Sequence, residues 1–143
     1  MADKRERHIK TQEQLQAVER LSEALLGDAW KEALWDCICC YQGYPFETAG
    51  RGRARTGAVS FSYQLKTSAR TGETTDELLI SRKERSKTLT RSSVELAMEN
   101  ARKELAAAGC VRGPKRLQVF GSSYLYAIFL EWGVIWKEKR EAL

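Results

Sequence analysis

The chain has 143 residues, of which 43% are hydrophobic and 30% are charged, and its formal net charge is +5. This length fits one ordinary domain, and this balance of apolar and charged residues is typical of soluble globular proteins. No apolar run approaches the roughly 20 residues that a membrane span needs, and the charged N-terminus leads into no hydrophobic segment, which argues against a secretory signal. We therefore expect a cytoplasmic protein with no membrane partner, made of a disordered basic tail at residues 1–10 and a single domain at residues 11–143.

Two helices are predicted at the start of the domain. Thr11 and Gln14 have the spacing of a capping box, and a helix over about residues 12–26 follows from the apolar residues at helical spacing, Leu15, Val18, Leu21 and Leu25. Asp28 is predicted to cap the second helix, which ends near Pro45. Its apolar stripe consists of Trp30, Leu34, Cys37 and Tyr41, broadened by Ala33 and Ile38.

The middle of the chain predicts a β-hairpin. Residues 47–57 are rich in glycine and arginine and contain no large apolar residue, which is typical of a loop. Residues 58–66 then alternate between apolar and polar types, as in a half-buried strand whose inner face is Val59, Phe61, Tyr63 and Leu65. A second strand, residues 77–82, has Leu78 and Ile80 on one face, and the polar residues 67–76 form the tip. This hairpin must pack on helices or join a partner's sheet, because a lone hairpin is marginal in water.

The C-terminal part predicts further helices. Ser92 and Glu95 have capping-box spacing, and the helix that they begin is expected to stop at Gly109. A short helical turn beginning at Pro114 would be anchored by Leu117, Val119 and Phe120. Ser122 or Ser123 would cap a final helix that ends at Gly133, and the residues beyond it suit either a short strand or an extra helical turn.

The resulting fold class is α+β: two N-terminal helices, a two-stranded antiparallel hairpin, and two to three C-terminal helices in helix-turn-helix-like order. A DNA-recognition helix needs polar side chains that reach base edges. Residues 122–132 are apolar nearly all round, with Glu131 as their single charge. We therefore interpret this segment as a core or dimerisation helix, and the sequence leaves a homodimer open.

Catalytic and metal-binding patterns are weak. His8 is the single histidine and lies in the predicted tail, which leaves no well-placed partner for a Ser-His-acid or Cys-His arrangement. Asp76, Glu77 and Lys83 form only a loosely spaced nuclease-like set. Cys37 and Cys40 lie one helical turn apart, but a structural zinc site normally has four ligands, and Cys37 falls on an apolar stripe. We expect a non-enzymatic protein with no cofactor and no metal.

Positive charge is concentrated in three segments, and lysine and arginine neutralise phosphates without needing a strict motif. These segments are the loop at residues 47–57, the run Arg82–Arg91, which we call the basic ledge, and the turn around residues 112–116. The candidate nucleic-acid-binding residues are Arg51, Arg53 and Arg55 in the loop, Arg82, Lys83, Arg85, Lys87 and Arg91 in the ledge, and Arg112, Lys115 and Arg116 in the turn. The expected ligand is nucleic acid, DNA rather than RNA, bound with little sequence preference. The alternative is a protein-binding inhibitor or adaptor that docks on an acidic protein surface through its basic ledge and apolar C-terminal helix.

Three stretches carry a resemblance to a known family: residues 82–94 (RKERSKTLTRSSV), Gly113-Pro114-Lys115 and residues 120–126 (FGSSYLY). They resemble a family of small uncharacterised proteins associated with bacteriophages and integrative elements of gut bacteria, over roughly residues 30–135. The family's motifs have no known function, so the resemblance transfers no catalytic or binding residue. It implies a mobile-element accessory protein, a role that fits DNA binding and interference with a host protein equally well.

Overall fold

The computed structural model describes residues 10–48, 60–81 and 86–139, and within these ranges the chain forms four α-helices and a four-stranded antiparallel sheet. The elements, in chain order, are α1 (Gln12–Ala24), α2 (Trp30–Cys40), β1 (Phe46–Glu47), β2 (Ser60–Thr67), β3 (Thr74–Ser81), β4 (Ser86–Thr90), α3 (Arg91–Ala108), a 3₁₀ turn (Pro114–Leu117) and α4 (Ser122–Trp132). The predicted α+β class is confirmed, but the sheet has two strands more than the predicted hairpin. The predicted tail lies outside the described residues apart from Lys10, whose ammonium is 3.4 Å from the Glu131 carboxylate.

Helix α1 begins as the sequence predicts. The Thr11 hydroxyl accepts a hydrogen bond from the Gln14 amide at 3.1 Å, and the Gln14 side chain accepts one from the Thr11 amide at 2.9 Å. The buried face, however, is rotated from the predicted stripe: Gln14 and Leu21 are buried, whereas Leu15 is 49% exposed. Because the Gln14 side-chain amide donates to the Cys40 carbonyl at 3.0 Å, a polar residue holds α1 against the end of α2.

The turn into α2 is held by an arginine rather than by the predicted cap. Ala29, not Asp28, occupies the N-cap position of α2, and no side chain caps the helix there. The Arg102 guanidinium instead donates to the carbonyls of Leu25 at 3.3 Å and Gly27 at 3.0 Å, satisfying groups that the end of α1 leaves free. The stripe predicted for α2 packs inward as expected, with Trp30, Leu34, Cys37, Ile38 and Tyr41 buried and Ala33 partly buried.

The four strands follow one another in the order β1-β2-β3-β4, each antiparallel to its neighbour. The inner face predicted for the two central strands is confirmed for the described residues, Phe61, Tyr63, Leu65, Leu78 and Ile80, all of which are buried; Val59 lies outside them. Strands β2 and β3 extend to Thr67 and from Thr74, into the predicted tip. The edge strand β4 was not predicted, because its five residues contain one large apolar side chain, Leu89, which is 2% exposed and pairs with Leu78.

The cap of helix α3 lies two residues before the predicted one. The Thr90 hydroxyl accepts from the Ser93 amide at 3.2 Å, so the predicted box of Ser92 and Glu95 is wrong. Glu95 is engaged elsewhere, by Arg91 at 3.0 Å. The helix ends as predicted, with a left-handed glycine at position 109.

Helix α4 is a core helix. Tyr124 to Phe129 and Trp132 are buried, and the helix meets β2 through Phe61 and Tyr124 at 5.0 Å between ring centroids and α2 through Tyr41 and Trp132 at 5.5 Å. Gly121 stands at its N-cap position without any side-chain cap, so the predicted serine cap is wrong, whereas the predicted stop at Gly133 is confirmed. Burial of the helix leaves it no apolar face for a partner.

Residues 134–139 form neither a strand nor a helix. Val134 and Ile135 are buried. The Trp136 indole donates to the Gly109 carbonyl at 2.7 Å, and its own carbonyl accepts from Val111 at 2.9 Å, so this segment closes the end of α3. In the described ranges no helix combines the length and apolar content that crossing a bilayer requires.

Candidate nucleic-acid interface

The strand register brings two basic connections to one end of the sheet. Glu47 is opposite Ser60, and Ser81 is opposite Ser86, so the connections 49–59 and 82–85 leave and re-enter the sheet at the same end. These four residues define what we call the loop end of the sheet. The connections contain Arg51, Arg53, Arg55, Arg82, Lys83 and Arg85, which lie outside the described residues. The loop end is therefore where their described flanks meet.

Lys87 lies one residue from the loop end. It pairs with Ile80 and shares the inner side of β4 with Leu89, and its ammonium lies 4.6 Å from the ring centroid of Phe120 and 5.7 Å from that of Tyr124. Because β4 is an edge strand, the stem of Lys87 covers aromatic surface while its charge stays near solvent. It forms no ion pair with a carboxylate in the described ranges, so this cation is available to an anionic ligand.

Phe120 is a surface residue. Its predicted role as an anchor of the turn is wrong, because its side chain is 66% exposed. Leu117 anchors the turn as predicted: it is fully buried, and its carbonyl accepts from the Asn100 side chain at 2.7 Å. Val119 packs partly against the core, which leaves the following ring outside it.

The backbone on both sides of Phe120 is left-handed. Gln118 has φ +54° and Gly121 has φ +79°, so two left-handed positions fall within four residues. A Cβ on Gly121 would overlap the Leu89 side chain. The turn therefore needs glycine at this position, and it is fixed against β4.

The three predicted cations of the turn are all exposed. Lys115 and Arg116 lie in the 3₁₀ turn, and Arg112 follows Val111, whose carbonyl accepts from the Tyr126 hydroxyl at 2.6 Å. Because Arg116 lies four positions before Phe120 in the chain, their Cα atoms are at most about 14 Å apart. None of the three forms an ion pair with a carboxylate of the described residues.

Arg91 has a different environment from the other predicted cations. Its side chain is 24% exposed, and its guanidinium approaches three carboxylates, those of Glu95 at 3.0 Å, Glu32 at 3.2 Å and Asp76 at 3.9 Å. It also lies 5.0 Å from the ring centroid of Trp35. Three acids and a ring on α2, β3 and α3 thus surround this charge, which fastens elements of the domain together.

Strand β4 divides the predicted basic ledge. Lys87 and Arg91 are four residues apart, and an extended strand rises about 3.3 Å per residue, so their Cα atoms are about 13 Å apart. Lys87 lies near the loop end, whereas Arg91 begins α3 beyond the other end of β4. The two ledge cations that the structure describes therefore lie at opposite ends of β4.

Among the described residues, the cysteines of α2 are not grouped with further metal ligands. In the part of the chain that the structure describes, no three His, Cys, Asp or Glu side chains are grouped to hold a metal ion. Burial, together with the nearby Cys40 and Asp36, raises the pKa of the Cys37 thiol to about 12. Burial also raises the pKa of Cys40. Neither thiol is poised as a thiolate nucleophile.

The loosely spaced acidic set is not assembled either. Asp76 and Glu77 are neighbours in β3, so their side chains point to opposite faces of the sheet. Asp76 lies 3.9 Å from Arg91, and Glu77 lies 3.7 Å from Lys66. Lys83, the third member, is outside the described residues.

A second surface feature is an open, largely apolar cleft of about 710 Å³ between the end of α1, α3 and residues 133–136. Leu25, Met98, Leu105 and Trp136 are among its lining residues. Leu26 lies at the cleft and is 90% exposed. The cleft was not predicted, because Leu26 lies two residues beyond the end of α1 and belongs to no periodic stripe.

Of the eleven predicted binding residues, the structure describes five, and it places Lys87 beside the loop end while engaging Arg91 with acids. The exposure of Phe120 was not predicted from the sequence. The signal that could have indicated it is an aromatic residue that stands between two turn-forming positions. Comparison with known proteins gave no match to a family model, to a curated protein or to a solved structure.

Proposed function

We propose that this protein is a non-enzymatic nucleic-acid-binding accessory protein of a phage or mobile element, which contacts phosphates through cations at the loop end of the sheet. The observation that carries the proposal is the strand register, which brings two arginine- and lysine-rich connections to the end where Lys87 lies without a carboxylate partner in the described ranges. The mobile-element context rests on the family resemblance alone.

The charges at this end suit a phosphate ligand. Each lysine or arginine that neutralises a phosphate releases condensed counterions, and this release drives binding. An unpaired cation such as Lys87 contributes fully. Arg91 would first have to give up its three carboxylates, so we exclude it from the proposed interface and keep Arg112, Lys115 and Arg116 as a second basic group.

The expected binding has little dependence on base sequence. Reading base edges in a groove needs an exposed helix or strand with polar side chains. Helix α4, the second helix of the helix-turn-helix-like order, is buried. Contacts to phosphates position a protein on nucleic acid without carrying sequence information.

The proposal is tested by fluorescence anisotropy with labelled DNA at about 50 and about 200 mM salt. The variant K87A/K115A/R116A should weaken binding and reduce the slope of log affinity against log salt by about two to three units, because each lost phosphate contact removes about 0.7–0.9. The matched control K31A/R70A/K103A removes the same charge at exposed positions on α2, α3 and the β2–β3 turn, and it should bind nearly as the wild type does.

Two results would contradict the proposal. Absence of DNA binding at low salt would remove its basis. An equal loss in both triple variants would mean that net charge alone, rather than Lys87 and the second basic group, attracts the nucleic acid.

A protein-binding inhibitor or adaptor is the second candidate, and the apolar cleft beside Leu26 favours it. Because α4 is buried, a protein partner would have to contact the cleft instead of that helix. Such binding should be insensitive to salt and lost in Leu26→Asp, in contrast to phosphate binding. Pull-down with the wild type and this variant, at the two salt concentrations given above, distinguishes the two candidates.

A further inference from the structure

We infer that the ligand is single-stranded nucleic acid and that Phe120 is the platform on which one of its unpaired bases stacks. This inference rests on the proposed function, since it names the class of nucleic acid that the same surface takes.

The first support is the environment of the ring. Phe120 is 66% exposed, and the Lys87 ammonium lies 4.6 Å from its centroid. An exposed aromatic ring next to cations is the arrangement by which sequence-tolerant single-strand binders hold bases and phosphates together, because every base offers a π-face. Here the ring would take a base while Lys87 neutralises a phosphate of the same strand.

The second support is the backbone that presents the ring. Gln118 is the one non-glycine residue with positive φ in the described part of the chain, at +54°, and such conformations persist where the surroundings impose them. Leu117 is buried on one side, and Gly121 lies against Leu89 on the other. The exposed ring is thus held by packed residues at both ends of its turn, which lowers the entropy lost when a ligand binds.

Stacking of this kind favours an unpaired base. In a duplex the faces of the bases are covered by their neighbours, and a side chain reaches them only by wedging open a base step at a cost of a few kcal/mol. A single strand offers both a base and its phosphate without that cost. Lys115 and Arg116, five and four residues before Phe120, supply further cations along the same turn.

The test uses three labelled ligands of about 12 nucleotides or base pairs: oligo(dT), oligo(U) and duplex DNA. Each is titrated with wild type, Phe120→Ala, Phe120→Trp and the control Leu96→Ala. The control removes an apolar side chain that is 50% exposed on α3. The wild type should bind the single strands more tightly than the duplex. Phe120→Ala should weaken single-strand binding by about 5- to 100-fold, the range that loss of one stacked base produces, while Phe120→Trp and Leu96→Ala retain it. The two single strands show whether the site prefers DNA or RNA.

The salt slope separates the two levels of the proposal. Phe120→Ala removes no charge, so its slope should equal that of the wild type. Salt-sensitive binding that is unaffected by Phe120→Ala, or tighter binding to the duplex, would overturn the single-strand inference and leave the proposed function intact. No binding to any of the three ligands at low salt would overturn both. Far-UV circular dichroism of each variant verifies that it is folded.

Discussion

Replacing Arg91 with alanine should destabilise the domain without changing its affinity for nucleic acid. The guanidinium joins α3 to α2 and β3 through carboxylates at 3.0, 3.2 and 3.9 Å and through the Trp35 ring at 5.0 Å. Loss of this cation would leave the three carboxylates around it without their shared counter-charge, and like charges repel one another.

The size of the effect follows from how exposed each partner is. Glu32 and Asp76 are 87% and 68% exposed, so each of their pairs contributes at most about 0.5 kcal/mol after solvent screening. The pair with Glu95, whose side chain is 23% exposed, contributes about 0.5–1 kcal/mol, and the contact with the Trp35 ring about the same again. The free energy of unfolding should therefore fall by about 1–3 kcal/mol, which lowers Tm by about 3–9 °C for a chain of this size.

Urea unfolding and thermal unfolding measure the stability, and the oligonucleotide titration at two salt concentrations measures the binding. Arg91→Lys should lie between wild type and Arg91→Ala, because lysine keeps the charge and loses the planar fork. If Arg91→Ala left stability unchanged and reduced the salt slope by about one unit, Arg91 would be a phosphate contact and the assignment of its charge to the fold would be refuted.

Three further predictions concern the core. Tyr63→Phe and Tyr126→Phe lose hydrogen bonds to the carbonyls of Ile38 and Val111, and each should lower the free energy of unfolding by about 1–2 kcal/mol, measured with urea. Tyr41→Phe should leave it unchanged, because the buried Tyr41 hydroxyl has no partner among the described residues. An equal loss for all three variants would contradict this. Gly121→Ala should lower the free energy of unfolding by about 1–3 kcal/mol more than Gly133→Ala. Both glycines have positive φ, but only a Cβ at position 121 would meet a side chain, that of Leu89. Equal losses would show that the Leu89 side chain moves aside without cost. The pKa of the Cys37 thiol is raised from 9.0 to about 12, so the unfolded state releases this proton first and the free energy of unfolding should fall as pH rises above 9.0. Cys37→Ala should make that fall shallower by up to about 1.4 kcal/mol per pH unit. Urea unfolding from about pH 8 to about pH 11 measures the fall, and an unchanged slope would argue against the raised pKa.

Local sequence patterns predicted the elements whose apolar residues recur over several turns or strand positions. The capping box at Thr11, the stripe of α2, the alternation of β2 and the glycine stops at Gly109 and Gly133 are all in the structure. These features depend on residues close together in the chain, so a single sequence is enough to reveal them.

The features that the sequence did not predict depend on distant contacts. Strand β4 forms because β3 offers it a pairing edge, and its one apolar residue, Leu89, could not show that alone. The cap of α3 is Thr90, the last residue of β4, which pairs with Glu77 of β3, and Glu95 contacts Arg91 instead of capping the helix. The candidate site also depends on distant contacts. Composition located the basic segments, but the acids that neutralise a cation lie up to 59 residues away in the chain.

Position along β4 gives two cations of one basic run different roles, since Lys87 lies near the start of the strand and Arg91 begins α3 just beyond its end. Lys87 and Leu89 share the inner side of the strand, so the lysine stem reaches the rings of Phe120 and Tyr124 while Leu89 lies against Gly121. The contacts that seat β4 on the core are thus the contacts that fix the turn presenting Phe120. A substitution that loosens this packing, such as Gly121→Ala, should therefore lower both stability and single-strand affinity. Arg91→Ala, with its partners on α2, β3 and α3, should lower stability alone, and this difference distinguishes a preorganised platform from a ring that is exposed by chance.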